Sequence, residues 1–366
     1  MNILILTKTK KKILKPTHKT VSDYIKNEDF FYGWNEGFKA DGHQTFLNWE
    51  ESFFLPVSLK IKFLLLYRIL HFSMSLTRLS CLDRYLFSRK IAKFCKLNKI
   101  NAVFTEINIS IAPKIIKDLV PDVVITQWYG IFPEMSNKET LKILSQYDLI
   151  WGPVEFDHTK VFFEGIENLK YIGCAVDDNM FYYDFDPVYA YDVVFVGGIG
   201  KGHSNRIETL EAIANNISSF AFYGYGEENI PKGYKLKEKF KGWVNTDEMR
   251  KLFSSSRIAI NLTLDGYDRI KKGFNARLFE IAACGGALQM VKSDEKINEF
   301  YTVDEEVITF NNNDDLVTKI NIYLSQKEAS DKIAKSAMIK TSKYTYFEKA
   351  KLATEIMKNY HSSTNN

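Results

Sequence analysis

The sequence predicts an α/β protein built as two parallel-sheet domains in series, facing each other across a cleft. Three observations lead there. Short apolar runs rich in β-branched residues alternate with helical stretches along the whole chain, as strands covered on both faces by crossover helices require. The 366 residues exceed what one hydrophobic core supports, so two domains are expected. A second first strand begins midway, where residues 191–198 (YDVVFVGG) form an apolar run that enters glycines.

The first domain reads in order as follows. Residues 3–6 form a strand, followed by a long Lys-rich and aromatic section, and Gly42-His43 leads to a second extended piece. Residues 56–96 are mostly helical, and 102–105 form a strand. A helix over 111–119 precedes the strand 123–126, and a helix near 138–145 leads to the strand 149–151. A strand around Tyr171 closes the set, and the linker falls near 173–187. The order of strands and helices implies a parallel sheet with helices on both faces.

Composition narrows the classes. Hydrophobic content of 45% and charged content of 26% are those of a globular domain. The net charge of +4 is modest, with lysines crowding the first 19 residues, and nothing in it calls for nucleic acid. The four cysteines (Cys81, Cys95, Cys174, Cys284) have neither Cys-x-x-Cys nor zinc spacing and read as reduced core residues of a cytoplasmic protein. No clustered carboxylates or His/Cys spacing suggest a metal. No apolar run is long enough to span a bilayer. Residues 53–76 mix Phe and Leu with Lys60, Lys62, Arg68 and His71, a pattern for peripheral contact with the inner face of a membrane.

Two segments carry the chemistry. The strand 191–198 continues into Ile199-Gly200-Lys201-Gly202-His203 and then a helical pattern from Arg206. A glycine turn between strand and helix lets backbone amides approach a phosphate at Gly198, and Lys201 and Arg206 add positive charge there. It is not a Walker loop, nor a clean dinucleotide fingerprint, because His203 stands where the third glycine is needed. The second segment, residues 275–286 (NARLFEIAACGG), reads as a short helix capped by Asn275 and ended by Gly285. Arg277, Glu280 and Cys284 share one face, and an Arg and a Glu held together there suit a ligand with phosphate and hydroxyl groups.

These landmarks, in order, resemble the nucleotide-sugar-binding domain of GT-B glycosyltransferases, and most the CgeB-like group related to glycosyltransferase family 4. The resemblance covers about residues 170–360. It rests on Gly173-Cys174-Ala175-Val176-Asp177 with Phe181, the 194–198 strand, Phe222-Tyr223-Gly224-Tyr225-Gly226 and Gly242-Trp243-Val244. The 258–262 strand, the 275–286 helix and Tyr344-Thr345-Tyr346 complete it. It implies two Rossmann-like domains: 1–173 on the acceptor side, 187–345 holding the nucleotide sugar, and a helix and tail over 346–366 that cross back to the first domain.

The resemblance also implies the activity: transfer of a sugar from a nucleotide diphosphate sugar to a glycan or lipid-linked acceptor, metal-independent and retaining, with no cofactor beyond the donor. Glu280 matches the carboxylate that accepts the ribose hydroxyls, and Gly198, Lys201, Arg206 and Arg277 fall where relatives hold the diphosphate. Glu106, just past a strand, and His43 are the candidates for acting on the acceptor hydroxyl. One position departs from the pattern. Retaining family 4 enzymes often carry Glu-x7-Glu, and here Lys272 stands eight residues before Glu280. That departure keeps a non-enzymatic nucleotide-sugar-binding subunit open, beside a nucleotide-sugar epimerase on the same fold.

Overall fold

The computed structural model describes residues 1–7, 30–49, 76–106, 111–129, 142–156, 168–200, 203–263 and 270–364. The first domain holds β1 (Asn2–Thr7), α1 (Phe30–Ala40), β2 (Gln44–Trp49), α2 (Leu76–Leu97) and β3 (Ala102–Glu106). It continues with α3 (Pro113–Leu119), β4 (Val124–Trp128), β5 (Leu149–Gly152), β6 (Glu155–Phe156) and β7 (Leu169–Tyr171). Six of these strands form a parallel sheet in the order β2-β1-β3-β4-β5-β7. Of the amphipathic stretch 53–76, all but Leu76 lies outside the described residues.

The second domain begins at β8 (Val193–Gly198) and runs through α4 (Ile207–Asn216), β9 (Phe220–Tyr225), α5 (Leu236–Lys239), α6 (Thr246–Ser255) and β10 (Ile258–Asn261). There follow β11 (Ile270–Lys272), α7 (Arg277–Cys284), β12 (Leu288–Lys292), β13 (Ile308–Phe310), α8 (Asn313–Ser325), α9 (Lys327–Thr341) and α10 (Tyr346–Thr364). Its sheet is also parallel, in the order β13-β12-β10-β8-β9. Central strands such as β8 and β10 are buried along almost their whole length, which explains their continuous apolar runs.

Each sheet reverses its strand order once. In the first, β2 lies on one side of β1 and β3 on the other. In the second, β9 and β10 flank β8 in the same way. Parallel α/β sheets take ligands beyond the carboxyl ends of their strands, at such a reversal. The places to inspect are therefore the ends of β1 and β3, and the ends of β8 and β10.

The last helix crosses back to the first domain. Tyr346, Ala350, Ala353 and Met357 recur at helical spacing and share a core with Trp34, Phe38, Ile3 and Phe104. Two glycines of α1 permit the approach. A Cβ on Gly33 would fall 2.4 Å from the Tyr346 ring, and one on Gly37 would fall 2.5 Å from the Tyr346 carbonyl oxygen. Farther along, the Tyr360 hydroxyl donates to Asp148 at 2.9 Å, and the Ile125 amide donates to the same carboxylate at 2.8 Å. Asp148 precedes β5, so α10 reaches the amino edge of the first sheet.

A second junction is a two-stranded antiparallel ribbon. β11 of the second domain pairs with β6 of the first, and Lys271 meets Glu155 at 3.2 Å. The short, mostly polar strands give little sequence signal, which is why this seam is seen only in three dimensions.

Candidate functional site

Helix α7 is placed by an amide pair. Asn261, the last residue of β10, and Asn275 exchange hydrogen bonds of 3.1 and 2.9 Å, so the helix starts at the carboxyl edge of the second sheet. The Asn275 side-chain oxygen Oδ1 also accepts from the Leu278 amide at 3.2 Å, the bond expected of a capping residue. Gly285, at φ 64, closes the helix in the left-handed conformation.

Arg277 and Glu280 form the expected ion pair, Nη1 to Oε2 at 2.6 Å. The Arg277 guanidinium lies 5.4 Å from the Phe253 ring centroid and contacts the Met249 sulfur. Both side chains are partly exposed, and among the described residues Oε1 of Glu280 accepts no hydrogen bond. The pair is thus fixed on one side and open on the other. Cys284 does not share this open face: it is fully buried, and burial, followed by the charge of Glu280, raises its thiol well above the usual range.

The glycine turn after β8 has a structural reason as well as a chemical one. A Cβ on Gly198 would fall 2.3 Å from the Tyr225 ring. One on Gly224, at φ 145, would fall 1.9 Å from the Gly197 carbonyl oxygen. One on Gly226, at φ 96, would fall 2.7 Å from the Gly200 amide nitrogen. The ends of β8 and β9 therefore touch backbone to backbone, which only glycines allow. Lys201 lies outside the described residues.

Arg206 has a task the sequence does not reveal. Its Nη1 donates to the Gly198 carbonyl at 2.7 Å, Nη2 to the Leu262 carbonyl at 2.7 Å, and Nε to the Thr263 carbonyl at 3.2 Å. At 7% exposure it straps together the turns that leave β8 and β10. A cavity of about 510 Å³ opens beside it, lined by Thr209, Thr263, Lys292 and Asn311 among others, and neither Arg277 nor Glu280 borders it.

On the facing sheet, Glu106 is the last residue of β3, at the strand reversal and on the carboxyl edge. Its side chain lies outside the described residues. His43 is elsewhere. It immediately precedes β2, and its Nδ1 lies 3.2 Å from the amino group of Met1, just before β1. The six residues of β2 separate it from the carboxyl edge by roughly 20 Å at about 3.3 Å per residue. Its Nε2 lies 3.0 Å from Asp41, and its pKa is lowered by burial first and by the Met1 amino group next. His43 therefore lies at the amino edge of the first sheet, beside the chain start, and is not brought together with Glu106 at the carboxyl edge.

One Asp-x-Asp sequence, Asp184-Phe185-Asp186, lies in the segment between the two sheets. Its carboxylates serve α6: Asp184 pairs with Arg250 at 3.1 Å and Asp186 with Lys251 at 2.9 Å. Among the described residues no three His, Cys, Asp or Glu side chains are grouped as metal ligands. No described helix is long and apolar enough to cross a membrane.

Comparison with known proteins agrees with this architecture. Residues 206–355, from the turn after β8 into α10, match the family described as "Glycosyl transferase-like". No curated protein matches by sequence. Among solved structures, sucrose-phosphate synthase from Thermosynechococcus elongatus aligns over 99% of both chains with a TM-score of 0.63 and 12% identity. A glycosyltransferase from Rickettsia africae aligns over 98% of both chains at a TM-score of 0.59 and 15% identity. HepE from Anabaena, in complex with UDP and glucose, aligns over 98% of this chain and all of its own at a TM-score of 0.59 and 13% identity. The fold is GT-B: two parallel-sheet α/β domains across a cleft, matched over their whole length.

Proposed function

We propose that this chain transfers a sugar from a nucleotide diphosphate sugar to a glycan or lipid-linked acceptor, without a metal and with retention of configuration. The observation that carries the reading is the Arg277–Glu280 pair on α7, held at the carboxyl edge of the second sheet by the Asn261–Asn275 amide pair. A carboxylate fixed through one oxygen and open at the other can accept the two adjacent hydroxyls of a ribose. The match of residues 206–355 and the fold shared with HepE, which binds UDP and glucose, support placing the nucleotide there.

The remaining roles follow from position. The Gly198 turn, with Lys201 beside it, faces the diphosphate, where fixed positive charge stabilises the negative charge that grows on the leaving group. Arg206 keeps that turn in place and adds its charge from behind. Glu106, which ends β3 on the other domain, is the candidate base for the acceptor hydroxyl.

Glu280→Ala is expected to weaken UDP or GDP binding by about 1–3 kcal/mol, the cost of losing hydrogen bonds to a charged group. Calorimetry on whichever nucleotide the parent binds checks this, and equal affinities would remove Glu280 from the ribose site. Transfer is also expected to survive EDTA, since charge on the leaving diphosphate is met by side chains and backbone amides. A loss on chelation that magnesium or manganese restores would overturn the metal-independent mechanism.

A further inference from the structure

The interdomain seam gathers positive charge that the proposed roles leave unassigned. Lys272 ends β11, where that strand pairs with β6, and its ammonium stands 5.3 Å from the Tyr171 ring centroid. Lys349, in the first turn of α10, has its ammonium 5.8 Å from the Tyr344 ring centroid. Gly173 makes room for it: a Cβ there would fall 3.0 Å from Nζ of Lys349 and 3.4 Å from the Tyr171 hydroxyl. The group thus sits beyond β5 and β7, on the cleft side of the first sheet.

Two of the three carboxylates around it are held in ion pairs. Glu155 pairs with Lys271, Glu280 pairs with Arg277, and Glu299 is felt by Tyr171. Among the described residues neither Lys272 nor Lys349 has a carboxylate within salt-bridge distance, and neither ammonium donates a side-chain hydrogen bond. The amine of Lys349 is held below its usual value, by burial first, with Cys174 opposing and the Lys272 ammonium adding to the effect. The Cys174 thiol in turn is pushed up to about 12, by burial and then by Glu280, with Lys349 opposing. The Tyr344 ring under the Lys349 ammonium lies 4.9 Å from the ring of Phe279, the residue before Glu280. Lys349 is half-buried and Lys272 exposed, so an anion from solvent can reach both, and two like charges brought together favour one that binds between them.

We infer that Lys272 and Lys349 form an anion subsite at the domain seam, beside Glu280, which binds an oxyanion of the donor. The oxyanion is either the terminal phosphate of the nucleoside diphosphate or a carboxylate on the transferred sugar. This inference rests on Glu280 holding the nucleotide. Lys272 is brought to the site only when β11 pairs with β6, and Lys349 only when α10 crosses back. The subsite therefore exists only when both domains are assembled around it, and an anion bound there joins them.

The test compares the parent with Lys272→Met, Lys349→Met and Lys349→Arg by calorimetry on UMP, UDP, UDP-glucose and UDP-glucuronate, with the guanosine nucleotides in parallel. Methionine keeps the apolar stem and removes the charge, and thermal melting confirms that each variant is folded. UMP affinity is expected to stay at the parent level in every variant. If the phosphate is the ligand, the methionine variants lose about tenfold or more on UDP and on both sugars, the scale of a charge-assisted hydrogen bond. If the sugar carboxylate is the ligand, that loss appears with UDP-glucuronate alone. Lys349→Arg should retain most of the affinity in either case. Affinities within twofold of the parent for every ligand overturn the subsite while leaving the nucleotide site standing. A parent that binds no nucleotide overturns the site at Glu280 and this inference with it.

Discussion

Arg206→Met is expected to destabilise the protein by about 3 kcal/mol or more, because three carbonyls then lose their donor. Leaving a buried acceptor unsatisfied costs about 1–3 kcal/mol each, and the guanidinium here serves Gly198, Leu262 and Thr263 together. Methionine preserves the packing of the stem against the Phe195 ring, so the loss reports on the hydrogen bonds. Arg206→Lys should recover only part of it, since one ammonium cannot span three carbonyls with the geometry of a planar fork. Denaturant midpoints of the three proteins provide the measurement. A midpoint equal to the parent's, together with weaker binding of UDP but not of uridine, would return Arg206 to direct service on the diphosphate and dismiss the strap.

Arg206 also shows where sequence reading stops. The residue, its charge and its place after a glycine turn were all legible, and they suggested a phosphate ligand. That its partners are backbone carbonyls from two separate turns follows only from the neighbouring of β8 and β10. The glycines were legible in the same partial way. A strand entering Gly-Gly before a helix announces a close backbone approach, but the sequence does not say that Gly224 and Gly226 of β9 are the approaching party. His43 is a different case. A residue just before a parallel strand must lie on the amino edge, so its distance from the cleft could have been read from its own position ahead of β2. By contrast, α7 was legible almost in full. Its cap, its ion pair and its left-handed stop are all local, set within one stretch of twelve residues that periodicity and capping rules describe. The seam between β6 and β11 had no such signal, because strands of two and three residues carry no period.

Glu106→Gln is expected to lower the rate of sugar transfer by about 10²–10⁴-fold, the usual contribution of a positioned acid or base. The argument is topological. Of the two candidates on the first domain, only Glu106 ends a strand at the carboxyl edge, and β3 is the strand beside which the sheet reverses its order. Glutamine keeps size and hydrogen-bonding reach while removing the capacity to take a proton, so folding and donor affinity should remain at the parent level. A fall in kcat and kcat/KM together, with unchanged UDP binding, is the signature of a group that acts in the transition state. His43→Gln serves as the comparison. It alters the amino edge, where His43 meets Met1 and Asp41, and should leave transfer at the parent rate. The anomeric configuration of the product, read by NMR, is measured in the same reactions and is expected to be retained. Should Glu106→Gln transfer sugar at the parent rate, the proton of the acceptor hydroxyl passes to an oxygen of the donor's own leaving phosphate. Catalysis would then reside in the phosphate-facing turn after β8 rather than in the first domain.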